Sequence, residues 1–227
     1  MWLDALESGQ ELPARIMFAA MRRFGGVEAP AVMKVLCYRH RYFGTPLSDL
    51  IQDAMRGPSR WTVAEREIFA TKASQSNECP FCQSAHRGIA GAYMAIDLVD
   101  EALTDGDNSP LRCEARAMLE FVDKMVRDPD DLTAGDADKV RQAGVTAEAF
   151  DEAVWVATLF NVIGRVMNTV GAEALEAGPA RVGRPLHQSL RLPNPTPGAF
   201  PFPRRVKPGD RTRGSKKRHR SRSVTKV

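Results

Sequence analysis

The sequence predicts an all-α protein: a helical bundle followed by a disordered basic C-terminal tail. Three observations point there. No run of alternating β-branched residues reads as a strand, apolar residues recur at spacings of 3 and 4, and Thr, Pro and Gly stand where helices start and stop. The expected count is seven or eight helices within residues 1–177, packed as a bundle.

The elements follow in order. Leu12 to Phe24 and Ala31 to Phe43 read as two helices parted by Gly25, Gly26 and Pro30, and Leu47 to Met55 as a shorter one stopped by Gly57 and Pro58. Thr62 followed by Glu65 is a capping box, in which hydroxyl and carboxylate each satisfy a free backbone N–H, and it opens a helix from Val63 to Ser76. Pro80 suits the first position of the next helix, which continues through AHRGIAGAYMAIDL. Leu111, Ala115, Met118, Leu119, Val122 and Val126 form an apolar stripe between Pro110 and Pro129. Thr133 caps a short helix to Gln142. Thr146 opens a long one closed by Gly171. From Gly178 to Pro208 the chain is Pro-rich, which makes 178–203 an extended arm, and 204–227 lacks the apolar content to fold.

Charge divides the same way. Residues 204–227 hold 11 Lys or Arg against the single acid Asp210; removing them from totals of 32 and 28 leaves 21 basic and 27 acidic residues, a net of −6. The alkaline character belongs to the tail, where nucleic acid or another polyanion is a conceivable but unfavoured partner. Mean hydropathy of −0.32, no membrane-length apolar run and no cleavable leader in the first 24 residues lead to an expectation of a cytoplasmic protein without membrane contact. Four cysteines do not make a disulfide scaffold, and in a reducing compartment a close pair points to catalysis or metal.

The chemistry concentrates in NECPFCQSAH, residues 77–86. With Pro80 at the first helical position, Cys79 is the N-cap and Cys82 lies in the first turn. Cys79, Cys82 and His86 then share one face. A first-turn thiol meets the positive end of the helix dipole, so Cys82 is expected to be the thiolate and His86 its proton partner. Cys79 can attack an oxidised Cys82. Glu67, on the preceding helix among Val63, Ala70 and Ser74, needs a partner if that face is buried, and in an antiparallel hairpin it meets the thiols.

Read together, Glu67, Cys79, Cys82 and His86 form an E-x11-CPFC-xxx-H pattern. This resembles the signature of the alkylhydroperoxidase D-like, peroxidase-related branch of the carboxymuconolactone decarboxylase superfamily, over roughly residues 30–175. The resemblance implies a thiol-dependent peroxidase that reduces hydroperoxides, with Cys82 attacking, Cys79 resolving, His86 activating and Glu67 completing the relay. It implies no cofactor, a lipoylated or thioredoxin-like dithiol reductant, and a homo-oligomer (dimer, trimer or hexamer). Phe81 stands where the best-known members carry a histidine, so no relay step runs through that position here. The superfamily's lactone decarboxylases typically lack the CxxC pair, which counts against decarboxylation. The competing reading is a non-catalytic helical oligomer whose cysteine pair binds metal or senses oxidant; Cys37 and His40 would have to complete a zinc site. Cys113 is expected to be a small buried apolar residue. Asn161, Arg165 and Asn168 share a face of the long helix and either line a pocket or an interface or serve a simple capping or surface role.

Overall fold

A computed structural model describes residues 3–104 and 109–175; the proposed arm and basic tail lie outside the described residues. Among the described residues there are ten α-helices and no strand. They are α1 (Asp4–Ser8), α2 (Leu12–Gly25), α3 (Ala31–Tyr38), α4 (Thr45–Arg56), α5 (Val63–Ser76), α6 (Pro80–Ala90), α7 (Ile96–Thr104), α8 (Cys113–Arg127), α9 (Ala134–Gln142) and α10 (Ala147–Thr169). A π turn, His40–Gly44, joins α3 to α4, and a 3₁₀ turn, Pro129–Asp131, follows α8. No helix among these residues is long and apolar enough to cross a membrane.

The extra helices come from runs that the apolar spacing joins and the backbone divides. The stretch from Ala31 to Phe43 breaks after Tyr38, where Arg39 turns to φ −132° and ψ 53° and the π turn begins. Gly44 makes that turn possible, because a Cβ there would lie 1.8 Å from the Leu36 carbonyl oxygen. The stretch after Pro80 ends at Ala90: Gly88 and Gly91 weaken the helix, and at Gly91 the Ile96 side-chain tip would have to shift for a Cβ, which would stand 2.8 Å from it. α1 carries no periodic signal long enough to read.

α5 is the central element. Ile68, Phe69, Ala70 and Ala73 are fully buried, and so is Ser74, so helices surround it on several sides. Full burial of Phe69 alone stabilises the fold by about 1.5–3 kcal/mol. The Thr62–Glu65 capping box forms as the sequence predicts. Trp61, just before it, donates its indole N–H to the Ala149 carbonyl at 2.7 Å and meets Phe69 edge-on at 5.0 Å. Glu65 accepts from Arg112 at 2.7 Å, which ties α5 to the entry of α8. α5 is thereby held at its N-terminus by α10 and by the residue that opens α8. At its other end residues 77–79 reverse the chain, and α6 returns along it.

Candidate active site

That reversal is tight. Asn77 caps α5, Glu78 takes the left-handed backbone at φ 51°, and Cys79 is the N-cap of α6 with Pro80 at the first helical position. The Cys79 N–H donates to the Ser74 backbone carbonyl at 2.9 Å, closing the turn. α5 and α6 then run antiparallel, and Glu67 comes opposite His86 at a separation of 19 residues.

Glu67 is 1% exposed and has a partner on each oxygen. His86 Nδ1 lies 2.6 Å from Oε2, and Arg56 Nη2 donates to Oε1 at 2.5 Å. Burial alone would raise this carboxyl. The His86 charge and hydrogen bond, followed by those of Arg56, outweigh it and hold Glu67 below the usual carboxylate range. Arg56 stands at the end of α4, where its Nη1 donates to the Met55 carbonyl at 2.8 Å. Arg66, itself buried, clamps that turn by donating from Nη1 to the carbonyls of Ala54 and Gly57 at 3.0 and 2.9 Å. The loop is thus set so that Arg56 reaches Glu67.

The two thiols are buried and reduced. They form a hydrogen-bonded pair whose members are shifted in opposite directions. Cys79 is lowered to about 7, first by the hydrogen bond from the Cys82 thiol and then by the backbone N–H groups of Cys82 and Phe81. Cys82 is raised, by the proton it donates to Cys79 and by burial. Within the pair Cys79 is thus the more acidic sulfur. Dipole reasoning favours both positions; the N–H groups at the start of α6 converge on the N-cap.

α10 packs over this site. The Phe160 ring meets the His86 ring edge-on with centroids 4.2 Å apart. One turn later Gly164 faces the reversal, where a Cβ would stand 3.4 Å from Asn77 Nδ2 and 3.6 Å from the Cys79 Cβ. Asn168 Nδ2 donates to the Asn77 carbonyl at 2.9 Å, and Asn77 Nδ2 to the Phe160 carbonyl at 3.4 Å.

Of the residues singled out from sequence, Glu67 and His86 are in direct contact, as are Cys79 and Cys82. Asn168 supports the reversal, whereas Asn161 accepts from Arg165 at the surface. Cys113 is exposed at the first residue of α8, contrary to the buried expectation, because it falls off the apolar stripe, between buried Leu111 and Ala115. Cys37 is half-buried, and burial raises its thiol. His40 Nδ1 is 3.7 Å from Glu11. Among the described residues no group of three or more His, Cys, Asp or Glu is gathered to hold a metal. Sequence reasoning missed Arg56, Phe160 and Gly164; the only hint for the last two was their place on the long helix.

A helical hairpin with a CxxC pair at its turn and a buried carboxylate–imidazole pair across it defines the class: an all-α protein with the alkylhydroperoxidase D-like fold. The chain is similar to an uncharacterised peroxidase-related protein from Silicibacter sp. TM1040, with a TM-score of 0.64 and 22% identity over 77% of this chain and 91% of that one. A second peroxidase-related protein, an alkylhydroperoxidase D core from Ralstonia eutropha JMP134, aligns with a TM-score of 0.61 and 22% identity over 74% and 88%. The apo debrominase Bmp8 aligns with a TM-score of 0.60 and 15% identity over 78% and 90%. No family model and no curated protein matches the chain.

Proposed function

We propose that the protein is a thiol-dependent peroxidase of the alkylhydroperoxidase D-like branch, reducing hydroperoxides through Cys79 and Cys82. The observation that carries this reading is the 2.6 Å contact between Glu67 and His86 on the hairpin whose turn bears both thiols. An imidazole braced at Nδ1 by a buried carboxylate keeps Nε2 for proton exchange, the arrangement that general acid–base catalysis needs.

Two quantities assign the sulfurs in opposite ways. Acidity favours Cys79, which is fully buried and covered by Gly164; Cys82 has the small remaining access, 3% exposed, and lies one turn before His86. Access decides, because the pair shares one proton across a hydrogen bond and can pass it. Transfer from Cys82 to Cys79 leaves the Cys82 thiolate, which attacks the peroxide. An S–O bond forms, the O–O bond breaks, sulfur gives two electrons, and the departing alkoxide takes the Cys79 proton relayed through His86 Nε2, which leaves Cys79 a thiolate. Cys79, deprotonated again, attacks the Cys82 sulfenic acid; the S–S bond forms and hydroxide leaves as water. An external dithiol, lipoylated or thioredoxin-like, reduces the disulfide and restores both thiols. No resident cofactor takes part. The working assembly is a homo-oligomer in the cytoplasm, and apolar residues on α2 that a single chain leaves exposed, Leu12, Ile16 and Phe24, support that assembly.

The test uses the Cys37→Ser/Cys113→Ser background and one equivalent of an organic hydroperoxide. Two thiols should disappear in the parent, none in Cys82→Ser, and Cys79→Ser should accumulate a trappable sulfenic acid at Cys82. A sulfenic acid trapped on Cys79 in the Cys82→Ser variant would reverse the two roles. Thiols inert to peroxide, with a bound metal in the purified protein, would instead favour the non-catalytic reading.

A further inference from the structure

We propose that Arg56 is a positioning residue that keeps Glu67 an anion and thereby fixes the His86 ring for proton transfer at Nε2. This rests on the peroxidase reading for its function, but not for the state of Glu67.

A buried carboxylate that faced only an imidazole would have a way out of carrying charge: it could take the Nδ1 proton, leaving two neutral groups in a low-dielectric site. Arg56 removes that route. Its guanidinium is permanently charged, it occupies Oε1 at 2.5 Å, and it leaves Oε2 for His86 at 2.6 Å. With Glu67 held ionised, the Nδ1 proton stays on the ring and points at Oε2, so the lone pair of the neutral ring is at Nε2. The tautomer is set from the end of α4, at the carboxylate oxygen that His86 does not occupy.

The geometry is built in. The Arg56 fork spans two acceptors, the Met55 carbonyl by Nη1 and Glu67 by Nη2, and Arg66 pins the carbonyls on either side of it. The charged groups acting on Glu67 are Arg56 from the end of α4, Arg66 from α5 and His86 from α6; from α10, Glu152 acts on Arg66, while uncharged Phe160 packs on the ring. Arg66 spends its Nη1 donor on backbone carbonyls, so Arg56 is the cation in direct contact with the carboxylate.

The experiment is a carbon-13 NMR titration of the side-chain carboxyls in full-length protein labelled at glutamate, with Glu67→Gln to assign the signal, in wild type, Arg56→Gln and Arg56→Lys. The pH profile of kcat/KM for an organic hydroperoxide is recorded alongside, and circular dichroism checks the fold. In Arg56→Gln the Glu67 midpoint should rise by about 1–3 pH units, the span that a neighbouring arginine commands. The acid limb of the profile should move up with it, while KM changes little. Arg56→Lys should recover most of both. A folded Arg56→Gln protein whose Glu67 midpoint stays at the wild-type value overturns the proposal. Should that variant not fold, the lysine variant decides alone: a near wild-type midpoint with activity kept supports the proposal, and activity lost with an unmoved midpoint overturns it. If wild type consumes no peroxide, the functional reading falls while the carboxyl titration still settles what Arg56 does to Glu67.

Discussion

Glu67 stays charged at 1% exposure because both of its oxygens are engaged, one by a permanent cation and one by an imidazole. Removing the carboxylate leaves Arg56 without that partner in a largely buried place, and breaking a buried pair from one side costs about 3–5 kcal/mol. Glu67→Ala should therefore lower the urea midpoint by a corresponding amount with little change in slope. Its pH dependence has a definite sign. The folded value lies below the ordinary 4.5, so the stabilisation is complete above 4.5 and lost as pH falls through the folded value. The stability gap between wild type and Glu67→Gln should accordingly narrow on acidification below that point, and a gap that widens there would contradict the assignment. Cys79 behaves as an acid of the same kind. Held at about 7 against an ordinary 9.0, it stabilises the reduced chain fully above 9.0 and loses that contribution as pH falls through 7. Thiolate ultraviolet absorbance should show one step near pH 7 that is missing from Cys79→Ser. If the step survives there and vanishes in Cys82→Ser, the anion sits on the other sulfur.

α10 sets how much room the thiol pair has. Gly164→Ala places a methyl at ordinary contact distance from Asn77 and Cys79 and should be tolerated, whereas Gly164→Leu must push the 77–79 reversal aside. The expected outcome is near-normal thiol loss to peroxide for the alanine variant and a rate reduced at least tenfold for leucine, followed by stopped-flow. Much of this arrangement was legible beforehand. Thr62 with Glu65, Pro80 and Thr146 announce the starts of α5, α6 and α10, because a cap or a missing N–H acts within one turn. The same locality explains what escaped reading. Arg56 reaches Glu67 only because the loop from Gly57 to Trp61 folds back under Arg66, and no helical period spans that loop. Apolar spacing carries on unbroken through Tyr38 and through Ala90, where backbone geometry ends the helices.

At the scale of the molecule, the described helices pack around α5, and α2 has no buried residue and leaves Leu12, Ile16 and Phe24 at 66%, 60% and 85% exposure. Such a surface on a helix with no buried residue among those described suits a second copy. Ile16→Glu with Phe24→Glu should shift the protein to a smaller species in light scattering while the far-ultraviolet circular dichroism is kept; an unchanged mass would place the contact elsewhere. The fold itself is shared with the peroxidase-related proteins and with a debrominase, so the helices alone do not fix an activity.

The short reversal between α5 and α6 has one further implication, for how this sequence can vary. Each residue added to or taken from 77–79 would rotate the returning helix by about 100° and slide it by about 1.5 Å. His86 would swing away from Glu67 and Gln83 would swing from Ser74. Substitutions there can be absorbed, as Glu78 in its left-handed backbone already illustrates. Insertions and deletions cannot, so the loop's length should stay invariant across any natural or selected variants that retain activity, even where its letters drift.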